Sequence, residues 1–272
     1  MTNTFLTKTM NFLRGSDISE RPLEITPVEL EDGKLIEYIG SYVNFYETPL
    51  KNNPELSLII LFSLVDAFTD LEHPDCEGKN FSDKIKALPC TTKTEKCFKE
   101  CYRIIRVLRN GCIHGQSGFT FHNKKISYSS GRKDNIDISE LGIDYLFTFF
   151  LQIIGNNYGN EFTKKHKEIF DVVLYNRIKD STTYFSDFSS DPLERIENCS
   201  PFNSLKWTAR YYCKNSDFEK VENNSLKINT ISITDYPTDY LLNYKSSKLL
   251  IPSEILRENS IVDIDEAMSW KL

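Results

Sequence analysis

The sequence predicts a mainly α protein, in which an antiparallel helical bundle carries a β-hairpin and is followed by a small C-terminal α+β region. Three observations support this class. Apolar residues repeat at helical spacing through much of the first 180 residues. Pairs of capping residues mark several helix starts, and short apolar runs between turn residues follow later. We therefore divide the 272 residues into an N-terminal extension (1–25), a helical bundle (26–180) and a C-terminal α+β region (181–272).

Two helices are predicted at the start of the bundle. The first covers 26 to about 47, because Thr26, Pro27 and Glu29 supply an N-cap, a proline at the first helical position and a capping-box glutamate. The second covers 54 to about 72 and is apolar nearly all round, as expected of a helix buried inside a bundle.

The next helix is predicted to begin at a second capping box, Thr92-x-x-Glu95, and to run into the sequence RNGCIHG. After a loop that contains glycine, the alternating residues of 119–129 predict a short β-hairpin. A long helix should then start at Asp137-x-x-Glu140, bend or break at 155–159, and continue to about residue 178.

The C-terminal region mixes a helix candidate with short strand candidates. The helix is predicted over 202–213, and the strands over 226–233, 240–244 and 248–252. This region contains no motif that indicates a particular chemistry.

Composition and hydropathy indicate an ordinary soluble protein, with 40% hydrophobic and 26% charged residues. The longest apolar run, 56–65, is far shorter than the roughly 20 residues that span a bilayer. We therefore expect a cytoplasmic protein with no membrane partner.

The seven cysteines show no disulfide framework and are odd in number, which favours reduced thiols. Cys97 and Cys101 share a helix face, and with Cys90 and His114 they could be drawn as a zinc set. No Cys-x-x-Cys pair is present, however, and the spacings match no common zinc module. We predict buried thiols, with neither a metal nor a cofactor.

The charge is unevenly distributed along the chain. The net charge is −6, yet residues 79–109 hold nine basic and three acidic residues. A local basic patch on an acidic protein suits a phosphate-containing ligand held at one place, although lysine-rich helix faces also occur for solubility alone. The predicted substrate-binding residues are in or just after this stretch: Lys96, Lys99, Arg103, Arg106 and Gln116.

Arg109, Asn110 and His114 are the predicted catalytic residues. Histidine titrates near neutrality and can move the proton of a ribose 2′-hydroxyl. A forked guanidinium can bind the scissile phosphate and stabilise the extra negative charge of its transition state. Asn110 could position the histidine or donate to a phosphate oxygen. This chemistry needs no metal and leaves a 2′,3′-cyclic phosphate.

Helical geometry supports only part of this site. At 100° per residue, Asn110 and His114 lie about 40° apart, whereas Arg109 and His114 lie about 140° apart and need a long side chain or a bend at Gly111 to converge. The structural alternative is that His114 complements the helix dipole before a terminating Gly115, and that Arg109 is a surface residue.

The sequence LRNGCIHG follows a helix, a buried helix ending in VDAF precedes it, and a hairpin and a long helix come after it. This arrangement resembles the HEPN (higher eukaryotes and prokaryotes nucleotide-binding) superfamily over 26–180. Arg109, Asn110 and His114 match the family signature, Arg-polar-x3-His, whereas Gln116 stands where many toxin members have tyrosine.

The resemblance implies a HEPN-like bundle and a metal-independent endoribonuclease, commonly a toxin or antiviral defence effector. It also implies a site formed where two domains pair, so that the expected partners are RNA, a second copy in a homodimer, and a neutralising or regulatory protein. Two alternatives stay open: a non-catalytic HEPN-like module for dimerisation or for binding nucleotides or RNA, and a purely structural helical protein.

Overall fold

The computed structural model of the protein describes residues 2–15, 19–20, 25–29, 36–40, 46–47, 53–114, 118–131, 133–155, 163–197, 210–214, 216–222, 224–230 and 237–272. Within them the α-helices are α1 (Thr2–Gly15), α2 (Pro54–Glu72), α3 (Phe81–Ala87), α4 (Lys93–His114), α5 (Glu140–Gly155), α6 (Lys164–Asp180) and α7 (Ile264–Met268). None of the helices in these ranges has both the length and the apolar character needed to cross a lipid bilayer.

The strands within the same residues are β1 (Ser19–Glu20), β2 (Ile25–Glu29), β3 (Ile36–Gly40), β4 (Tyr46–Glu47), β5 (Phe119–His122), β6 (Lys125–Ser129), β7 (Asn135–Ser139), β8 (Thr182–Ser186), β9 (Arg210–Cys213), β10 (Phe218–Val221), β11 (Ser225–Ile228), β12 (Thr238–Tyr244), β13 (Ser247–Pro252) and β14 (Ile261–Asp263). They form a two-stranded sheet (β1-β4), a four-stranded sheet (β5-β6-β7-β8), a five-stranded sheet (β13-β12-β9-β3-β2) and a three-stranded sheet (β10-β11-β14). The protein is therefore mixed α and β, and the prediction of a mainly α, HEPN-like bundle is wrong.

The largest single error concerns 26–47, which was predicted to be a helix. Its described part forms the antiparallel strands β2 and β3, with Thr26 opposite Ile39 and Pro27 opposite Tyr38, followed by the short β4. Both strands are rich in β-branched residues, which favour the extended backbone. Asp32-Gly33, a dipeptide typical of hairpin turns, lies between them in the sequence. These signals outweigh the apparent helix cap.

The described residues divide into two compact units whose segments alternate along the chain. The first unit comprises Met1–Glu20, Phe45–Asn157 and Asp171–Glu197, and the second comprises Arg21–Asn44, Tyr158–Phe170 and Asn198–Leu272. The predicted catalytic residues all belong to the first unit.

Helix α4 is the central element of the first unit, and its predicted capping box is confirmed. The hydroxyl of Thr92 accepts a hydrogen bond from the Glu95 amide at 3.1 Å, and the Glu95 carboxylate accepts one from the Thr92 amide at 2.9 Å. From Cys101 to Leu108 every residue is buried. When a helix is buried on all sides, its polar side chains must form hydrogen bonds or ion pairs with neighbouring elements.

Helix α2 packs against α4 and confirms the second predicted helix. The side chain of Asn53 caps its first turn by accepting from the Leu56 amide. Helix α1, in the region expected to be an N-terminal extension, also packs on α2. Its buried residues are Leu6, Met10 and Leu13.

The predicted hairpin is confirmed as β5 and β6, and β7 and β8 extend it into a four-stranded antiparallel sheet. Helix α5 begins at Glu140 and not at Asp137, because Asp137 belongs to β7 and the Ser139 hydroxyl accepts a hydrogen bond from the Gly142 amide at 3.1 Å. The predicted continuation is α6.

The second unit contains most of the C-terminal region. Strands β11, β12 and β13 lie where short strands were predicted. The helix predicted over 202–213 is wrong at its end, since Arg210–Cys213 is the strand β9, and residues 202–209 lie outside the described residues. The core of this unit includes Cys213, Leu242, Leu249 and Trp270.

Gly111 allows α4 to pack closely against the four-stranded sheet. A Cβ atom at Gly111 would lie 2.8 Å from Cδ2 of Phe119 and 2.9 Å from Cγ of Tyr128. Real Cβ contacts are longer than this, so the glycine is required by packing and not by a bend. Helix α4 continues through it to His114.

We expect Gly111→Ala to destabilise the protein, although alanine usually stabilises a helix relative to glycine. Overpacking against Phe119 and Tyr128 should outweigh that gain and lower the free energy of unfolding by about 1 to 2 kcal/mol. Chemical denaturation measures the difference, and Phe119→Leu in the same chain should recover part of it. A Gly111→Ala variant as stable as the wild type would contradict this packing.

Candidate functional site

The guanidinium of Arg109 is held over two aromatic rings. Its Cζ atom lies 5.6 Å from the ring centre of Phe62 on α2 and 5.2 Å from that of Phe81 on α3. The two rings meet edge to face with 4.9 Å between their centres. An aromatic face attracts a cation without neutralising its charge. Within the part of the chain that the structure describes, no carboxylate pairs with Arg109, so its positive charge is uncompensated.

Asn110 contacts Arg109 directly. Its Oδ1 accepts a hydrogen bond from Nη1 of Arg109 at 3.2 Å, and its Nδ2 donates to Oδ2 of Asp134 at 2.9 Å. Arg109 and Asn110 are both partly buried. The side-chain amide thus bridges an arginine and a carboxylate that do not touch each other.

His114 is the last residue of α4 and is exposed. It lies one turn after Asn110 on the same face of the helix, and about 7.5 Å along the axis and 140° around it from Arg109. No described side chain forms a hydrogen bond with it. The structure therefore brings Arg109 and Asn110 together, and it does not bring His114 into contact with Arg109 within one chain.

Arg103, expected to bind substrate, is instead 4% exposed and surrounded by acceptors. Its Nε and Nη2 donate to the two carboxylate oxygens of Asp187 at 3.0 and 3.1 Å. Its Nη1 donates to Glu100 at 2.8 Å, and Nη2 also reaches Ser189 and the Asp191 carbonyl. This guanidinium has no free face for a phosphate, and its evident role is to fix residues 187–191.

Arg106 is 5% exposed and also has a partner. Its Nη2 donates to Oδ1 of Asp134 at 2.7 Å, and its guanidinium lies 5.0 Å from the ring centre of Phe188. It therefore cannot bind an RNA phosphate in this arrangement. Its positive charge also balances the negative charge of Asp134, the residue that accepts a hydrogen bond from Asn110.

The predicted lysine contacts lie at the other end of α4. Lys96 is exposed, and Lys99 is partly buried, with Nζ 3.5 Å from the Leu88 carbonyl oxygen. Both line a groove that also contains acidic residues. At 1.5 Å per residue they are more than about 20 Å from His114 along the helix axis. Gln116 lies outside the described residues.

Sequence reasoning missed three side chains that shape this site: Phe62, Phe81 and Asp134. Phe62 is part of a predicted buried helix, but nothing in the periodicity shows that its ring faces Arg109. Asp134 is 24 residues from Asn110 in the sequence, and only the fold of the sheet brings the two together.

The cysteines considered for zinc are not clustered with other ligands. Cys97 and Cys101 are fully buried on α4, and burial raises the pKa of Cys101 well above its usual range. Among the described residues no group of three or more histidine, cysteine, aspartate or glutamate side chains has the geometry to hold a metal ion.

Asp187 should contribute to stability in a pH-dependent way. Burial alone raises the pKa of its carboxyl group, but the hydrogen bonds from Arg103 and Ser189 outweigh burial and hold the pKa below its usual range. A depressed carboxyl pKa stabilises the folded state above the unfolded pKa of about 4, and this stabilisation is lost as the pH falls through the folded value.

We therefore expect Asp187→Asn to lower the free energy of unfolding at pH 7 by about 3 kcal/mol, the cost of removing one partner from a buried ion pair. The difference from the wild type should shrink below about pH 4. Denaturation at a series of pH values measures it. A difference that stays constant from pH 7 to pH 3 would show that the carboxylate charge is not the cause.

Comparison of the chain with models of known families, with curated proteins and with solved structures finds no match to any of the three.

Proposed function

We propose that this protein is a metal-independent endoribonuclease whose site is formed by Arg109, Asn110 and His114. The observation that carries the proposal is that Arg109 has no carboxylate partner among the residues that the structure describes. Arg103 and Arg106, earlier on the same helix, both have carboxylate partners. Arg109 has two aromatic rings and an amide instead. A partly buried guanidinium without a counter-charge suits an anionic ligand, and the diester phosphate of RNA is one that its fork matches.

The proposed reaction is an attack by the ribose 2′-oxygen on the neighbouring phosphorus. His114 accepts the proton of the 2′-hydroxyl or donates a proton to the leaving 5′-oxygen. Arg109 binds the non-bridging phosphate oxygens and stabilises their extra charge in the transition state. The bond from phosphorus to the 5′-oxygen breaks, and the products carry a 2′,3′-cyclic phosphate and a 5′-hydroxyl. The resemblance of this helix end to the HEPN signature supports the same chemistry.

We also propose that the protein acts as a homodimer. Arg109 and His114 diverge around α4, so an Arg109 from one copy and a His114 from the other would form a composite site, as the HEPN resemblance implies. The exposure of His114 and of the neighbouring Ile113, 41% exposed, supports an open helix end. A nuclease with an open site would also need a neutralising or regulatory protein partner.

The direct test is cleavage of single-stranded RNA in the presence of EDTA. We expect the wild type to cleave, and Arg109→Ala and His114→Ala each to lose at least about 100-fold in rate. His122→Ala is the matched control, because His122 is also an exposed histidine but lies at the end of β5. It should cleave like the wild type. Cleavage that persists in the His114→Ala variant would overturn the assignment.

The end groups of the products test the chemistry separately from the residues. Mass spectrometry should find a 2′,3′-cyclic phosphate, and RNA with a 2′-deoxyribose at the cleavage position should resist. Binding of RNA without any cleavage would instead favour the non-catalytic binding module.

A further inference from the structure

Asp134 directly precedes β7, and its carboxylate faces α4. The Ser130 amide donates to the Asp134 carbonyl oxygen at 2.9 Å, and the Asp134 amide donates to the Ser130 hydroxyl at 3.2 Å. These two bonds hold the backbone of Asp134 next to Ser130, the residue that follows β6.

The two carboxylate oxygens of Asp134 bind different residues of α4. Oδ1 accepts from Nη2 of Arg106 at 2.7 Å, and Oδ2 accepts from Nδ2 of Asn110 at 2.9 Å. The side chain of Arg106 is 7% exposed and that of Asp134 is 16% exposed, so water competes little for this pair. Arg106 balances the charge of the carboxylate, and Asn110 donates a hydrogen bond to its other oxygen.

The contact with Asp134 determines which way the Asn110 amide points. A carboxylate accepts hydrogen bonds and cannot donate them, so it selects the NH2 end of the amide. The carbonyl end must then point to Arg109, where Nη1 donates to it at 3.2 Å. The reverse orientation would place oxygen against oxygen at Asp134 and donor against donor at Arg109.

The neutral amide also separates two charges. A carboxylate in direct contact with Arg109 would cancel the charge that the proposed site needs. Asn110 connects Arg109 to the Asp134 carboxylate through two hydrogen bonds, and its own side chain carries no charge. The orientation of Arg109 is thereby constrained while its cationic character is kept.

We propose that Asp134 is a positioning residue of the nuclease site: through the side-chain amide of Asn110 it orients the Arg109 guanidinium toward the substrate phosphate. This inference rests on the proposed function, since it assigns a role within that site. Asp134 does not touch the substrate in this scheme, and its effect reaches the reaction only through Asn110 and Arg109.

The test uses Asp134→Asn with Asp187→Asn as its matched control. Both variants replace a carboxylate that binds a buried arginine of α4, but only Asp134 contacts Asn110. In the Asp134→Asn variant an amide can still accept from Arg106, and its NH2 group then faces the NH2 group of Asn110. We expect kcat for RNA cleavage to fall at least about 10-fold, with a smaller change in KM. The folded Asp187→Asn variant should keep the wild-type kcat.

A second measurement is independent of activity. In 15N-labelled protein, the side-chain amide signals of Asn110 should shift or broaden in the Asp134→Asn variant and stay in place in the Asp187→Asn variant. If the wild type cleaves no RNA, the proposed nuclease function fails, whereas these signals still decide whether Asp134 orients the amide. Unchanged Asn110 signals together with an unchanged kcat in the folded Asp134→Asn variant would overturn the positioning role.

A further variant covers the case in which Asp134→Asn does not fold because Arg106 loses its counter-charge. Arg106→Met combined with Asp134→Leu removes both charges of the pair and every side-chain acceptor at position 134, and replacing a buried ion pair by apolar residues of similar volume is often tolerated. Asn110 still loses its carboxylate acceptor in this double variant. The same loss of kcat and the same change in the Asn110 signals are expected, and their absence would contradict the proposal.

Discussion

The burial of α4 imposes the constraint on which the rest of the first unit depends. A guanidinium cannot be buried without an opposite charge or a set of acceptors, because the cost of removing it from water is otherwise several kcal/mol. Arg103 meets this requirement with Asp187, and Arg106 meets it with Asp134. Asp187 directly follows β8, and Asp134 directly precedes β7. Ion pairing thus ties both segments of the sheet to one helix.

Arg109 differs from the two earlier arginines in where the helix places it. It is only partly buried, and aromatic rings and an amide take the position that a carboxylate would occupy. Stacking on Phe62 and Phe81 orders the side chain at little electrostatic cost. The result is a charge held in place without a carboxylate partner among the described residues, which is what the proposed phosphate site requires.

The sequence predicted the elements whose signals are local. The capping box at Thr92, the apolar helix α2 and the hairpin of β5 and β6 could all be read from residues within a few positions of one another. The prediction of a helix over 26–47 is wrong because the β-branched residues of β2 and β3 favour strands more strongly than the cap-like opening favours a helix.

The candidate site could be predicted only in part, for a related reason. Arg109, Asn110 and His114 are close in sequence, so their spacing was visible. Their partners are distant in sequence, and charge counting cannot tell a free arginine from a paired one. The basic stretch therefore predicted Arg103 as an RNA contact, whereas the fold pairs it with Asp187.

The central claim, that the free charge of Arg109 binds an RNA phosphate, is tested most directly by binding of an uncleavable RNA. Single-stranded RNA with 2′-O-methyl groups would be titrated into the wild type and into Arg109→Gln at several salt concentrations, with thermal unfolding as a check of folding. We expect Arg109→Gln to bind at least about 10-fold more weakly, with the slope of log Kd against log salt reduced by about 0.7, the value for one phosphate contact on a single strand. Equal affinity and equal salt dependence in the folded variant would contradict the claim.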